Sequence, residues 1–324
     1  MPMRNAAAFL PECLDSIKGQ TYQYWELIVV NDYSEDESWE ILTEYHKRDP
    51  RIKLFNNEDK GIIPALKLAF SKSIGNFITR MDADDIMASG KLELLKSNLI
   101  DDIDVVVGKV KYFSQNTLGK GYQRYADWLN ALIDSGVFWK DVYRECVIPS
   151  PCWMMTRKKL ISIGGFKDSR YPEDYDLCFR MYLKGMKVRG VDKILHYWRD
   201  HPERSSRKLS VYLDPWFLDL KIHYFINKEC GKEKQLVIWG AGKKGKYMVK
   251  QFLSRNLTLH WVSDNLNKQG KKIYGVEVEN PSIIENLSNV IIAIPVSNRK
   301  EQVLIREFLE KNSKKEGYDF FFFA

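Results

Sequence analysis

Apolar residues recur along the first half of the chain in two alternating rhythms. Phe9, Leu10, Cys13, Leu14 and Ile17 fall three or four positions apart, the spacing of one helix face. The short apolar run WELIVV, at 25–30, is continuous instead and ends at Asn31-Asp32, as a strand would. Trp39, Leu42 and Tyr45 predict a second helix and RIKLF, at 51–55, a second strand. The alternation goes on through 65–71, then FITRM at 77–81, a helix over 91–98 and a strand in DVVVGKVKYF at 104–113. Such βα units predict an α/β fold with a mixed, mostly parallel sheet flanked by helices, and ligands gather at the carboxyl ends of its strands. Two acidic clusters fall at such ends, Asn31-Asp32 and Asp82-Ala83-Asp84-Asp85.

A polar segment at 202–210 leads into an aromatic, helix-like stretch at 211–227 and then a break, CGKEK, at 230–234. The boundary is placed there: a first domain over 1–228, with 211–228 as a helical linker, and a second over 229–324. After the break QLVIW enters GAGKKG, and a second βα pattern runs to the aromatic end YDFFFFA, which reads as a buried last strand.

Length and composition narrow the class. With 324 residues, 44% of them hydrophobic, the chain can fill two ordinary cores. Cys13, Cys146, Cys152, Cys178 and Cys230 are odd in number and scattered, without a CxxC pair. That spacing suggests neither a disulfide framework nor a zinc knuckle and fits a reducing cytoplasm. The first residues lack a basic region followed by an apolar run, and no stretch reaches the ~18 apolar residues of a membrane span. A soluble protein is expected, or one peripheral at the inner face of the membrane.

The formal net charge is +7, and the residues from Gly231 onward carry nearly all of it. This bias suits an anionic membrane surface or a phosphorylated ligand, and equally a solvated lysine-rich face. No basic stripe interleaved with aromatics appears, so nucleic acid is not expected as a partner.

In ITRMDADDIM, at 78–87, an apolar stretch runs into three aspartates. Residues i and i+2 of an extended chain point the same way, so Asp82 and Asp84 can present two carboxylates to one side. Magnesium or manganese takes one or two protein carboxylates and completes its shell with water and phosphate oxygens. The plainer alternative is a turn in which Asp85 caps the next helix. A calcium loop is excluded: Ile86 and Met87 stand where it needs an oxygen ligand and a glycine.

Four motifs in order and spacing decide between the metal and the turn. MPMRNAAAFLPECLDSIKGQTYQYWELIVVNDYSEDES, GNFITRMDADDIM, GGFKDSRYPEDYDLCFRMYLKG and LHYWRDHPERSS together resemble the family 2 glycosyltransferases of GT-A fold, over roughly residues 1–215. The resemblance implies that Pro2, Arg4, Asn5, Asp32 and Ser34 line the pocket for the donor nucleotide, Asp32 accepting hydrogen bonds from base or ribose. It implies Asp82 as the nucleotide-side aspartate and Asp84 as a ligand of Mn²⁺ or Mg²⁺. His201 would be a further metal ligand, and Arg199 and Arg204 would clamp diphosphate oxygens. Glu173-Asp174 resembles the acidic pair at the acceptor, Asp174 as general base and Glu173 in support; as the plainer alternative, both begin a helix.

The reaction so implied is inverting transfer from a nucleoside-diphosphate sugar, UDP-sugars favoured, to a saccharide or lipid-linked acceptor in surface-polysaccharide assembly. Two departures from the family pattern stand out. The family's opening strand is nearly all missing before Pro2, so it is expected either to be very short or to lack residues upstream, and Leu66-Lys67 replaces the Arg-Asn or Leu-Asn of the second loop. A competing reading is a sugar-nucleotide-binding protein of little catalytic power.

In the tail, Gly240, Gly242 and Gly245 follow the run QLVIW, and Asp264 ends LHWVSD. Strand, GxGxxG, helix, strand and acid make a dinucleotide fingerprint in its required context. The segment resembles the Rossmann-type nucleotide-binding domains of sugar-modifying acyltransferases, which implies a dinucleotide or nucleotide-sugar there. None of Tyr247, Tyr274 and Tyr318 has a lysine four positions on, so binding, regulation or homodimer formation is expected before NAD(P)-linked chemistry.

Overall fold

In the apolar run at 25–30 the last four residues, Leu27, Ile28, Val29 and Val30, are buried, and around them the first sheet is built. In the computed structural model, residues 1–114, 118–166, 172–204, 216–231 and 233–324 are described. They fall into two compact units: Met1–Phe138 with Val147–Tyr212, and Trp139–Cys146 with Leu213–Ala324.

The first unit opens with β1 (Pro2–Met3), α1 (Leu10–Lys18), β2 (Leu27–Asn31), α2 (Ser38–Arg48) and β3 (Ile52–Asn56). Leu10, Cys13, Leu14 and Ile17 are the buried face of α1, as their spacing requires. β1, β2 and β3 form a parallel sheet in that order. β1 pairs with β2 through Pro2 opposite Val30 and Met3 opposite Asn31, and the Met1 carbonyl accepts from the Val30 N–H. Beside it lies a cavity of about 310 Å³, lined by Met1, Trp25, Ile28, Phe70, Phe77 and Ile78 among others.

After α3 (Ile62–Lys72) come β4 (Phe77–Thr79), β5 (Ile86–Met87), α4 (Lys91–Asn98), β6 (Val105–Phe113), α5 (Lys120–Ser135), β7 (Trp153–Thr156), α6 (Arg157–Ser162), α7 (Glu173–Leu183) and β8 (Val188–Arg199). They supply a second sheet of order β4-β7-β6-β8-β5. Here β6 and β8 run parallel, whereas β4 with β7, β7 with β6 and β5 with β8 are antiparallel. The mixed character comes from β5 at the edge and from β7, which turns back between β4 and β6. Its four residues have no helical or alternating signature to announce them.

The second unit holds α8 (Trp216–Lys228), β9 (Gln235–Trp239), α9 (Lys243–Leu253), β10 (Leu259–Val262), β11 (Lys272–Ile273), β12 (Val276–Glu279), β13 (Val290–Ile294), α10 (Arg299–Lys311) and β14 (Phe320–Phe322). Strand order is β11-β12-β10-β9-β13-β14, parallel except for the β11–β12 hairpin. The order reverses at β9, the switch point of a doubly wound α/β sheet. Tyr274 and Gly275 turn the hairpin with positive φ at both positions, as a two-residue turn of matching twist needs.

Helix α8 groups with this unit rather than with the first. The reason is aromatic packing: Tyr143 stands with its ring 5.3 Å from Phe225, 5.0 Å from Phe321 and 5.3 Å from Phe323. Trp139–Cys146, from the middle of the sequence, is drawn in by the same contacts. Among the described residues no helix is long and apolar enough to cross a membrane.

Candidate active site

The acidic loop 82–85 joins β4 to β5, and β5 pairs antiparallel with the end of β8, Ile86 opposite Tyr197 and Met87 opposite His196. That pairing carries Arg199 and His201, more than a hundred residues later in sequence, against the aspartates. Each carboxylate then meets a different partner. Arg80 Nε donates to Asp82 Oδ1 at 3.0 Å. His201 Nε2 and Asp84 Oδ2 lie 2.9 Å apart. Asp85 is buried and accepts from the Arg199 backbone N–H at 2.8 Å while its other oxygen meets His196 Nε2 at 2.9 Å. Asp85 caps no helix, since α4 begins only at Lys91.

Arg80, to which no sequence motif points, reaches past Asp82. Its Nη1 donates to Glu173 Oε1 at 3.0 Å. One buried guanidinium therefore joins the strand-end aspartate to the acidic pair at the start of α7. Burial, and then the Glu173 charge, push the neighbouring Asp174 carboxyl up to about 7. Arg80, Glu173 and Asp174 also line a small cavity of about 10 Å³, roughly the space of one water.

Burial alone would raise the Asp84 carboxyl, yet the His201 hydrogen bond and the Arg204 charge hold it below its ordinary range. Among the described residues, His201 Nδ1 and Arg204 Nη1 are buried without a hydrogen-bond partner. Two unmatched polar atoms beside a carboxylate are a cost unless a ligand meets them. Arg199 is committed elsewhere: its Nε donates to the Asp84 carbonyl at 2.8 Å, its guanidinium pairs with Glu12, and it lies over Phe9 and Phe113. Of the two arginines expected on the diphosphate, Arg204 is the one with a buried donor that lacks a partner among the described residues.

The ends of β1 and β2 bring Pro2, Arg4, Asn5, Asp32 and Ser34 to one place. Asn5 adopts φ +48°, its N–H donates to Ser34 Oγ at 3.1 Å, and its Oδ1 accepts from the Glu35 N–H at 2.8 Å. Arg4 is exposed. Asp32 Oδ1 accepts from Asn57 Nδ2 and the Gly61 N–H, both at 2.8 Å. It ties down the loop after β3 and is not the cap of α2, whose first turn follows Glu37.

Do these residues fit a divalent cation? Among the described residues no three His, Cys, Asp or Glu side chains converge as a ready-made set. Asp84 and His201 offer one carboxylate and one imidazole, and 26% of the Asp84 side chain stays exposed. Since Mg²⁺ and Mn²⁺ accept one or two protein ligands and draw the rest from phosphate and water, the pair fits a site that a substrate completes.

In the second unit, Gly240 has φ +130°, and a Cβ on Gly245 would come within 1.9 Å of the Gly240 carbonyl oxygen. Only glycine lets α9 pack so closely on the loop. Gly242 faces open space. Asp264 is occupied, however: its Oδ2 accepts from Trp239 Nε1 at 2.7 Å. Trp261 Nε1 and Lys268 Nζ likewise donate to the carbonyls of Gly240, at 3.0 Å, and Ala241, at 2.7 Å.

The family model described as glycosyl transferase family 2 matches residues 1–164. Glycosyltransferase GlyA of Streptococcus pneumoniae is 28% identical over 253 residues, which are 74% of this chain and 36% of that protein. Glycosyltransferase GlyG of the same organism is 26% identical over 233 residues, 68% of this chain and 75% of that one. The chain thus spans about a third of the first relative and three quarters of the second. The crystal structure of S. aureus TarS 1–349 in complex with UDP aligns with a TM-score of 0.52 at 17% identity, covering 79% of this chain and 70% of that chain.

Proposed function

We propose a function from the premise that the chain belongs to glycosyl transferase family 2: transfer of a sugar from a nucleoside-diphosphate donor, UDP-sugars first, to a hydroxyl of a saccharide or lipid-linked acceptor, with inversion at the anomeric carbon. The observation that carries this reading is the Arg80 bridge, which holds Asp82 and Glu173 on one guanidinium beside a carboxyl raised to about 7.

Asn5, Asp32 and Ser34 would meet the base and ribose, Asp32 through the oxygen its loop contacts leave over. Arg204 Nη1 would donate to a diphosphate oxygen, replacing the missing partner. Asp84 and His201 would hold Mn²⁺ or Mg²⁺, which when bound neutralises charge on the departing diphosphate. Asp174 would take the proton of the acceptor hydroxyl as its oxygen bonds to the anomeric carbon; the carbon–diphosphate bond breaks on the opposite face and its electron pair leaves with the nucleotide. A carboxyl poised near neutrality is suited to that task, being ionised often enough to act and basic enough to pull. Glu173, fixed by Arg80, keeps Asp174 oriented and raises its basicity. The glycine loop of the second unit takes a structural role in this reading, since its Gly240 and Ala241 carbonyls, the close approach of Gly245 and one Asp264 oxygen are all engaged by neighbouring groups.

Thermal melting with UDP-, GDP- and dTDP-sugars, with and without Mn²⁺, tests the assignment on the wild type and Asp84→Ala. A donor at a hundred times its dissociation constant stabilises by about 2.7 kcal/mol, roughly 5–10 °C for a unit of this size. The expected result is a metal-dependent shift with one nucleotide family, lost in Asp84→Ala. No shift with any donor, or one that the substitution leaves intact, overturns the reading.

A further inference from the structure

Behind the acidic loop runs a buried chain of three titratable side chains that the proposed reaction does not use. Lys91, the first residue of α4, is fully buried, and its Nζ donates to the Pro151 carbonyl. The same Nζ lies 3.2 Å from Nδ1 of His196, a residue of β8 with no exposed surface. His196 Nε2 is 2.9 Å from Asp85 Oδ2, and Asp85 Oδ1 accepts from the Arg199 N–H. An ammonium, an imidazole and a carboxylate are thus strung from α4 through β8 into the loop that carries Asp84.

Two groups flanking this chain belong to the candidate metal site. Asp84 precedes Asp85, and its carbonyl is held by Arg199 Nε. His201 lies two residues beyond Arg199. Asp85 and Arg199 together therefore set the register between the acidic loop and the end of β8, and that register is what brings Asp84 Oδ2 within 2.9 Å of His201 Nε2.

We infer that Lys91, His196 and Asp85 are positioning residues, a buried hydrogen-bonded chain that holds Asp84 and His201 at the spacing needed to bind the donor's divalent cation. The inference rests on the metal-diphosphate reading given above. Geometry carries it: Lys91, His196 and Asp85 are all buried, and each bonds the next, from the Pro151 carbonyl at one end to the Arg199 N–H at the other. The ammonium at one end and the carboxylate at the other offset each other across the imidazole, and every link is satisfied. Removing one end strands the other as an unpaired buried charge.

That logic picks the variants. Lys91→Met removes one end. Asp85→Asn with Lys91→Gln removes both charges and keeps the bonds: the amide at 85 accepts from the Arg199 N–H and donates to His196 Nε2, and the amide at 91 accepts from His196 Nδ1–H and donates to the Pro151 carbonyl. Mn²⁺ affinity is read by electron paramagnetic resonance in the presence of UDP, with Asp84→Ala as control, so transfer activity is not the readout.

The expected pattern is loss of Mn²⁺ binding in Asp84→Ala, at least tenfold weaker binding in Lys91→Met, and binding within threefold of wild type in the double variant. A positioning chain explains that recovery, whereas a merely buried lysine does not. Wild-type affinity in Lys91→Met overturns the inference, and so does a folded double variant that binds as weakly as the single one. If Lys91→Met does not fold, Asp85→Asn alone takes its place against the double variant. Unchanged binding in Asp84→Ala would sink the metal reading itself and is thereby told apart from failure of the chain.

Discussion

Each unit ends a strand on a loop that sequence motifs mark as a ligand site, and the two loops are finished in different ways. At 82–85 three carboxylates crowd together, a fourth beside them is raised to about 7, and the buried atoms His201 Nδ1 and Arg204 Nη1 lack partners among the described residues. At 240–245 the side chains close on one another: Trp239 holds Asp264, Lys268 holds the Ala241 carbonyl, and Gly245 meets the Gly240 backbone. Unmatched buried polarity costs stability, so its survival points to work done on a ligand. The GxGxxG spacing is as good as the Asp-x-Asp spacing, but among the described residues only the Asp-x-Asp loop sits beside buried polar side-chain atoms that lack partners.

The contrast breaks first at Asp174. Asp174→Asn should lower kcat about 10²- to 10⁴-fold while leaving donor-induced stabilisation in place. In the wild type, kcat/KM should fall toward acid pH with a limb near pH 7, where the base becomes protonated. The same shift has a sign for stability. With the folded carboxyl at about 7 and the ordinary value at 3.8, the bound proton stabilises the folded chain fully below pH 3.8, and this contribution is lost as pH rises through 7. Asp174→Asn, which cannot ionise, should therefore melt higher than wild type at pH 8 and gain nothing at pH 3.5. A pH-independent rate, or equal melting gains at both pH values, would remove Asp174 from its role.

Gly245→Ala tests the opposite side. A Cβ at 1.9 Å from a carbonyl oxygen forces α9 away from its loop, and overpacking of this kind costs about 1–3 kcal/mol. Urea unfolding should show that loss, with the metal-dependent donor shift unchanged. The smallest effect is expected for Asp264→Asn, since the amide oxygen can still accept from Trp239. Stability should move by no more than about 1 kcal/mol and donor binding not at all. Donor stabilisation that weakens in Asp264→Asn would transfer ligand binding to the second unit and erase the contrast.

Much of the frame was legible in the sequence because local rhythm wrote it. The face of α1, the run that became β2, and α4 over Lys91–Asn98 could be read from spacing. What escaped was nonlocal. β7 is a short insertion whose direction is set by neighbours far along the chain, and Trp139–Cys146 belongs to the second unit only because Tyr143 finds Phe225, Phe321 and Phe323. In the site, acidic residues adjacent in sequence announced themselves. Arg80 did not, since its second partner lies 93 residues away. Lys91 and His196 looked like ordinary members of a helix and a strand, and only burial reveals them. The available signal was a lone cation entering an apolar strand end just ahead of the aspartates.

Arg80 has one further consequence, for inheritance. A single guanidinium serves Asp82 on one side and Glu173 on the other, so no lineage can change one of the three freely. Losing Asp82 leaves the Arg80 Nε without its acceptor, and losing Arg80 leaves two anions with no cation between them. Residues 80, 82 and 173 should accordingly persist or be exchanged as a set, and descendants that acquire new acceptors should do so by altering the rim around this trio while the trio itself stays put.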